Sequence, residues 1–435
     1  MSVKSPVWKA VVLGVALLSF GPTVQAQDLK AFYIGHSLSD QIAEMVKSLT
    51  DDAGETTFDW AYQSIPGASL QWQWGRMAEE DYTAFPPHIY PFYDPTNGLP
   101  AGDFDVLVMV DSVPRHWTEW GIETTYHYAS LFLDYAQTNS PGIRVYLYEP
   151  WHCILSGTPT GCDWDIDSSP WRQRLIDDLP MWESAVDYLN THMPPTHPVR
   201  LIPGGQGLAR LYDAIAADEV PGITSIEDLF DDDIHLTDVG KYYIACIHYA
   251  ALHDQSPVGL TNQLQNTWGG DFDPAPTPEQ AAVFQALAWE TVTEYRARAG
   301  YLSWRTNHFD LAEIEAGAAD PDGDPHETGI PNWLHYLFGD APGTPSAVWK
   351  PMSLEWDGAA PLLQFLVRRD APETMWWVET RTNLQHGAWL RDEVRLPVAV
   401  EAHDAEFDAV TVEDTDPPDP AAFYRLLGRG PFDWE

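Results

Sequence analysis

Unbroken apolar runs recur through the first half of the chain, at LKAFYIG (29–35), FDVLVMV (104–110), IRVYLYE (143–149) and VRLIP (199–203). Short runs without a polar face read as strands buried on both sides. TFDWAYQSI (57–65) supplies one more candidate. Between these runs, apolar residues recur at helical spacing over 39–50, 123–137, 171–191 and 207–217. That alternation predicts a parallel sheet covered by helices. Two further helical patterns, at 235–253 and 278–300, flank a polar stretch containing Pro and Gly, and the second closes the unit.

The pattern changes after residue 300. Residues 318–345 are acidic and turn-rich around one short helix, and LLQFLVRRD, MWWVETRT and FYRLLGR then alternate as strands do. The organisation predicted is an α/β domain over 27–300, an acidic connector over 301–345 and an antiparallel β module over 346–435. No internal repeat stands out.

Residues 1–26 have the form of a secretory signal peptide. Lys4 and Lys9 begin it, AVVLGVALLSF is its apolar stretch, and Val24-Gln25-Ala26 its cleavage site. The apolar stretch is short for a membrane span, and no later segment reaches the roughly 20 apolar residues required. The expectation is a secreted or periplasmic protein starting near Gln27. Losing Lys4 and Lys9 takes the formal charge from −42 to −44, a field that repels nucleic acid and anionic membranes. Three cysteines exclude a disulfide-rich scaffold and a four-thiolate zinc site. Cys153 and Cys162 bracket a turn-rich loop that an oxidising compartment would close as a disulfide. Cys246 lies in an apolar helical pattern and reads as a buried thiol.

Candidate chemistry begins where the first strand hands over to a helix, at Gly35-His36-Ser37-Leu38-Ser39. Ser37 or Ser39 there is either a helix cap or a nucleophile at a helix N-terminus, where amides favour developing negative charge. A serine nucleophile needs a base in reach and a third group to orient that base. LFDDDIHLTDVG offers both, because Asp232 stands three residues before His235 at a helix start. The alternative is a solvated acidic loop with an incidental histidine.

The pair IGHSLSD and DDDIHLTDVG resembles the SGNH, or GDSL-type, hydrolase superfamily over roughly residues 27–300. The resemblance implies a flavodoxin-like three-layer α/β/α sandwich, with Ser37 as nucleophile, His235 as general base and Asp232 as its orienting acid. In IPGASLQW, Gly67 matches the glycine whose amide joins that of Ser37 in the oxyanion hole. His36 replaces the family's usual aspartate. The Gly-x-Asn-Asp block is not recognisable, since Asp111-Ser112-Val113-Pro114-Arg115-His116 follows the strand. A lost oxyanion donor costs about 2.7–4 kcal/mol, so Ser112 or His116 is expected to substitute, which ionised Asp111 cannot do. YLYEPWH and IPGGQ are similar to segments of one branch of the superfamily.

Glu149, Trp151 and His152 end another strand at the edge where open α/β sheets bind ligands, and they are candidate substrate contacts. Asp320, Asp322 and Asp324 alternate as in calcium loops, with Asn332 as a further candidate ligand. Pro325 and Pro331 occupy positions where an EF-hand needs Gly and Glu. The surrounding DPDGDP…GIPNWLHYLFG resembles C-terminal modules of secreted bacterial proteins, where such loops hold calcium. Catalysis itself calls for no cofactor. Trp72, Trp74, Trp117, Trp120 and Trp151 crowd the segments around the site and suit sugar rings. The expected function is a secreted serine esterase acting through an acyl-enzyme, with carbohydrate O-deacetylation as its reaction. The alternatives are a lipase or short-chain carboxylesterase, and a non-catalytic carbohydrate-binding protein on the same fold.

Overall fold

A computed structural model describes residues 28–75, 88–115, 121–193 and 195–344, together with the strands and turns at 352–356, 361–369, 376–381, 390–391, 397–404, 406–413 and 423–428. The signal-peptide expectation for 1–26 lies outside these residues. The chain forms two compact units that divide between Gly323 and Asp324.

The first unit is an α/β fold. Its elements in order are β1 (Leu29–Gly35), a 3₁₀ turn (Ser37–Ser39), α1 (Ile42–Ala53), β2 (Phe58–Ser64), α2 (Leu70–Gly75), β3 (Val106–Val110), α3 (Ile122–Asn139) and β4 (Arg144–Tyr148). Then come α4 (Trp171–His192), β5 (Arg200–Ile202), α5 (Gly204–Ala216), α6 (Asp238–His253), α7 (Pro278–His308) and α8 (Leu311–Glu315). The five strands are parallel in the order β2-β1-β3-β4-β5, the flavodoxin-like arrangement the resemblance implies. Strand order reverses between β1 and β3, and ligands of such sheets bind beyond the strand C-termini at that point.

The apolar runs are continuous because both faces of the sheet are covered. Ala31 and Tyr33 of β1, with Val106 and Val108 of β3, pack in one core with α1, α5 and α6. Phe32, Ile34, Leu107 and Met109 alternate into a second core with α3 and α4. Strands buried on both sides gain from each residue, at about 25 cal/mol per Å² of apolar surface. This fixes β1 and β3 as rigid supports for whatever their ends carry.

The first unit runs past the expected boundary at residue 300. Helix α7, opened by a capping box of Thr277 and Gln280, continues to His308. Tyr301 and Trp304 are buried on it, and the Tyr301 hydroxyl donates to the Ala319 carbonyl at 3.0 Å. Part of the expected connector is thus integral to the α/β unit.

Among the described residues the second unit carries α9 (Asn332–Leu337) and seven strands: β6 (Met352–Trp356), β7 (Pro361–Arg368), β8 (Trp376–Arg381), β9 (Leu390–Arg391), β10 (Pro397–Ala402), β11 (Phe407–Glu413) and β12 (Phe423–Gly428). They form two antiparallel sheets, β10-β11-β7-β6 and β12-β8-β9. Burial alternates residue by residue along β7 and β11, the signature of strands with one covered face.

Candidate active site

Three loops meet at the C-terminal ends of β1, β2 and β3, held by the register of the sheet. Gly35 pairs with Ser64, and Ile34 with Met109. Gly35 ends β1 where a Cβ would lie 2.2 Å from Ser39 Oγ and 2.8 Å from Val110 Cγ1, so only glycine admits this turn. Its carbonyl accepts from the Ile65 amide at 3.0 Å and from the Gln73 side chain.

The cap of the 3₁₀ turn is His36. Its Nδ1 accepts from the Leu38 amide at 3.3 Å, and its Nε2 donates to the Asp111 carbonyl at 3.2 Å. Burial holds the pKa of this imidazole below its usual value, and the network fixes it as the neutral ring. Ser39 donates to the His36 carbonyl at 2.9 Å. With capping done by His36, the Ser37 hydroxyl is released to face across the site.

It meets the histidine picked out in the sequence. His235 Nε2 lies 2.9 Å from Ser37 Oγ, and His235 Nδ1 lies 2.7 Å from Asp232 Oδ2. Asp232 turns its other oxygen inward to accept the Ile234 and His235 amides at 2.8 and 2.7 Å. Burial raises the Asp232 pKa, but bonds from the His235 ring and these amides outweigh it and leave it below the usual value. The carboxylate thus holds the imidazole as the Nδ1–H tautomer, with Nε2 free to accept the serine proton. The His235 side chain is 40 % exposed, so the constellation opens to solvent.

Other candidates fall into two groups. The Ser37 and Gly67 amides have no acceptor among the described residues, and Gly67 sits exposed at φ +67° in the turn after β2. Ser112 follows β3, and His116 lies outside the described residues. Glu149, Trp151 and His152 are corrected, because all three are interior residues. Glu149 accepts the Gln206 amide at 3.1 Å and the Gln206 side chain at 2.7 Å, and burial pushes its pKa up to about 8. His152 is bonded to Asp178 and to Arg174. The Trp151 indole donates to the Ile234 carbonyl at 2.8 Å and so holds the Asp232–His235 loop from beneath. Polar groups at a strand end suggest pocket lining in the sequence, whereas these three are satisfied inside by Gln206, Ile234, Asp178 and Arg174.

Of the tryptophans named, Trp72 is 46 % exposed, Trp74 packs on Phe92 and Phe132, and Trp117 and Trp120 lie outside the described residues. Cys153 and Cys162 form a disulfide, and Cys246 is a buried thiol whose pKa burial raises. In the acidic segment, Asp324 accepts the Thr328 amide and hydroxyl and the Gly329 amide at 2.6–2.9 Å. Its oxygens are therefore engaged within the turn.

Residues that the sequence reading passed over complete the support. Asp111, set aside as unable to donate, is an acceptor hub. Its Oδ1 takes the Leu70 and Ser112 amides at 3.0 and 2.8 Å and pairs with Arg115, and its Oδ2 takes the Thr125 hydroxyl at 2.7 Å. A charged pair four residues apart after a buried strand was the available signal.

No family model matches the chain, and no curated protein matches it. Solved structures do. A DUF4886 family protein from Bacteroides uniformis is 13 % identical, covering 61 % of this chain and 95 % of its own, with a TM-score of 0.40. A protein described as a GDSL-like lipase, from Parabacteroides merdae, is 14 % identical over 52 % of this chain and 95 % of its own, with a TM-score of 0.33. A carbohydrate esterase family 3 protein from Talaromyces cellulolyticus is 14 % identical over 52 % of this chain and 96 % of its own, with a TM-score of 0.30.

Proposed function

We propose that this protein is a serine esterase of SGNH type. The observation that carries this reading is the continuous Asp232–His235–Ser37 hydrogen-bond chain, 2.7 and 2.9 Å long, drawn from two loops 198 residues apart. Ser37 attacks an ester carbonyl while His235 takes its proton, and the oxyanion forms against the amides of Ser37 and Gly67. His235 then returns the proton to the leaving alcohol, and water releases the acyl-enzyme by the same route. The substrate class we assign is an O-acetylated carbohydrate. Trp72 on α2 and Trp164 on the disulfide-bonded segment expose aromatic faces suited to sugar rings. A lipase or short-chain carboxylesterase is the second reading, favoured by exposed Leu155 and Ile166 on that same segment. Export from the cytoplasm is part of the proposal, and the Cys153–Cys162 bond supports it.

A fluorophosphonate probe tests the chemistry, because it labels only an activated serine. Labelling should map to Ser37 and vanish in Ser37→Ala, while Ser39→Ala keeps most labelling and turnover. An unlabelled wild-type protein would leave a binding protein on this fold. Acetate released from acetylated polysaccharides, compared with hydrolysis of esters of rising chain length, separates the two substrate readings.

A further inference from the structure

Each polar contact of the loop after β3 bears on one question: what its charged pair does so close to the proposed nucleophile. Asp111 and Arg115 are an ion pair whose side chains are 1 % and 0 % exposed. Burying two charges is costly, and replacing such a pair by apolar residues often leaves a protein no less stable. Stability alone does not account for it.

The contacts are directional. The Arg115 guanidinium pairs with Asp111, donates through Nε to the Ser112 carbonyl at 2.7 Å, and donates to Ser112 Oγ at 2.7 Å. The Ser112 amide is taken by Asp111. That leaves one donor on Ser112, the hydroxyl proton. It cannot point at the cation, and no acceptor for it exists among the described residues. Meanwhile the His36 ring donates to the Asp111 carbonyl at 3.2 Å, so Ser37 and Ser112 each lie one residue beyond this contact. The turn bearing Gly67 is tied to the same carboxylate through Leu70. Asp111 therefore gathers the three loops that carry Ser37, Gly67 and Ser112, the first through its backbone carbonyl and the other two through its carboxylate.

We propose that the Ser112 hydroxyl is a third donor to the oxyanion, polarised by Arg115 and positioned by Asp111. This rests on the esterase reading. A hydroxyl that accepts from a buried guanidinium becomes a stronger donor, and its remaining direction is fixed. Such a preorganised dipole acts on charge that develops only in the transition state. Ser112 touches the reacting oxygen, whereas Arg115 and Asp111 are positioning residues.

The test uses the full-length protein, a soluble acetate ester and a trifluoromethyl ketone that forms a tetrahedral adduct with an activated serine. Ser112→Ala should lower kcat by about 100- to 1,000-fold, as loss of one oxyanion donor does elsewhere, with KM changed less than about twofold. The ketone's inhibition constant should rise by a similar factor, and Ser112→Thr should restore most of both. Arg115→Lys, which keeps the charge and loses the fork, should show a smaller loss that disappears in the Ser112→Ala background. Full activity in Ser112→Ala, or lost turnover with unchanged ketone binding, would overturn the proposal while Ser37 labelling still upholds the esterase. Additive losses for Arg115→Lys would also overturn the role given to Arg115. Absence of fluorophosphonate labelling in the wild type would instead remove the esterase reading, and this proposal with it.

Discussion

Single residues decide which groups the Ser37 hydroxyl meets. His36 caps the 3₁₀ turn from a neutral, buried ring, and this frees Ser37 from the duty its position invites. Glu149 makes the opposite point, since a strand-end acid that looks like a ligand is held inside by Gln206. Its folded pKa of about 8 exceeds the ordinary 4.5, because burial disfavours the charge. Between those values the native state binds more protons than the unfolded chain, so stability falls as pH rises through that window. Glu149→Gln removes this contribution. The melting temperature of the variant should gain on wild type steadily from pH 5 to pH 8, whatever its offset at pH 5. Parallel profiles in a thermal scan would show that Glu149 is ionised in the folded protein across this range.

Among elements, the segment after β4 clamps the loop that carries Asp232 and His235. The Trp151 indole holds the Ile234 carbonyl, the Ile154 amide donates to the Asp233 carbonyl at 2.8 Å, and the Leu155 amide donates to the Asp233 carboxylate at 2.7 Å. The Cys153–Cys162 bond closes this segment over a separation of nine residues. Chain entropy alone assigns a loop of that length roughly 3 kcal/mol. Trp151→Phe keeps an aromatic ring but orphans a buried carbonyl, at a cost of about 1–3 kcal/mol. Both Trp151→Phe and the Cys153→Ser/Cys162→Ser double variant should therefore melt earlier. Both should also lose turnover several-fold because the His235 position loosens; KM should change little in Trp151→Phe, whereas the double variant should also raise KM for a carbohydrate ester, because Trp164 lies on the segment the disulfide closes. Stopped-assay kinetics beside calorimetry would check this; unaltered kcat would confine the clamp to stability.

At the scale of the whole molecule, the two units predict a division of labour. Every residue of the proposed chemistry lies in the first unit, before Gly323. A chain ending at Gly323 should hydrolyse a small soluble ester at close to the full-length rate. One ending at Gly300 should not fold well, because it cuts α7 before buried Tyr301 and Trp304. Calcium at Asp320, Asp322 and Asp324 is a separate proposal. If it holds, chelation lowers the melting temperature of the full-length protein without changing the small-ester rate; an unchanged melting temperature removes it.

What the sequence determined by itself was whatever local pattern carries. Continuous apolar runs marked β1, β3, β4 and β5, because strands buried on both faces have no polar side to interrupt them. An acid three residues before a histidine needs only one turn to meet it, as Asp232 and His235 do, but their pairing with Ser37 rested on the family resemblance, because spacing alone left that serine a cap or a nucleophile. Tertiary structure alone decided which polar groups face inward. The burial of Glu149, Trp151 and His152, the end of α7 and the hub at Asp111 all depend on partners far away in sequence, such as Gln206, Ile234, Ala319 and Leu70. A polar side chain near a strand end reads the same whether it meets solvent or a buried partner, and only packing chooses between them.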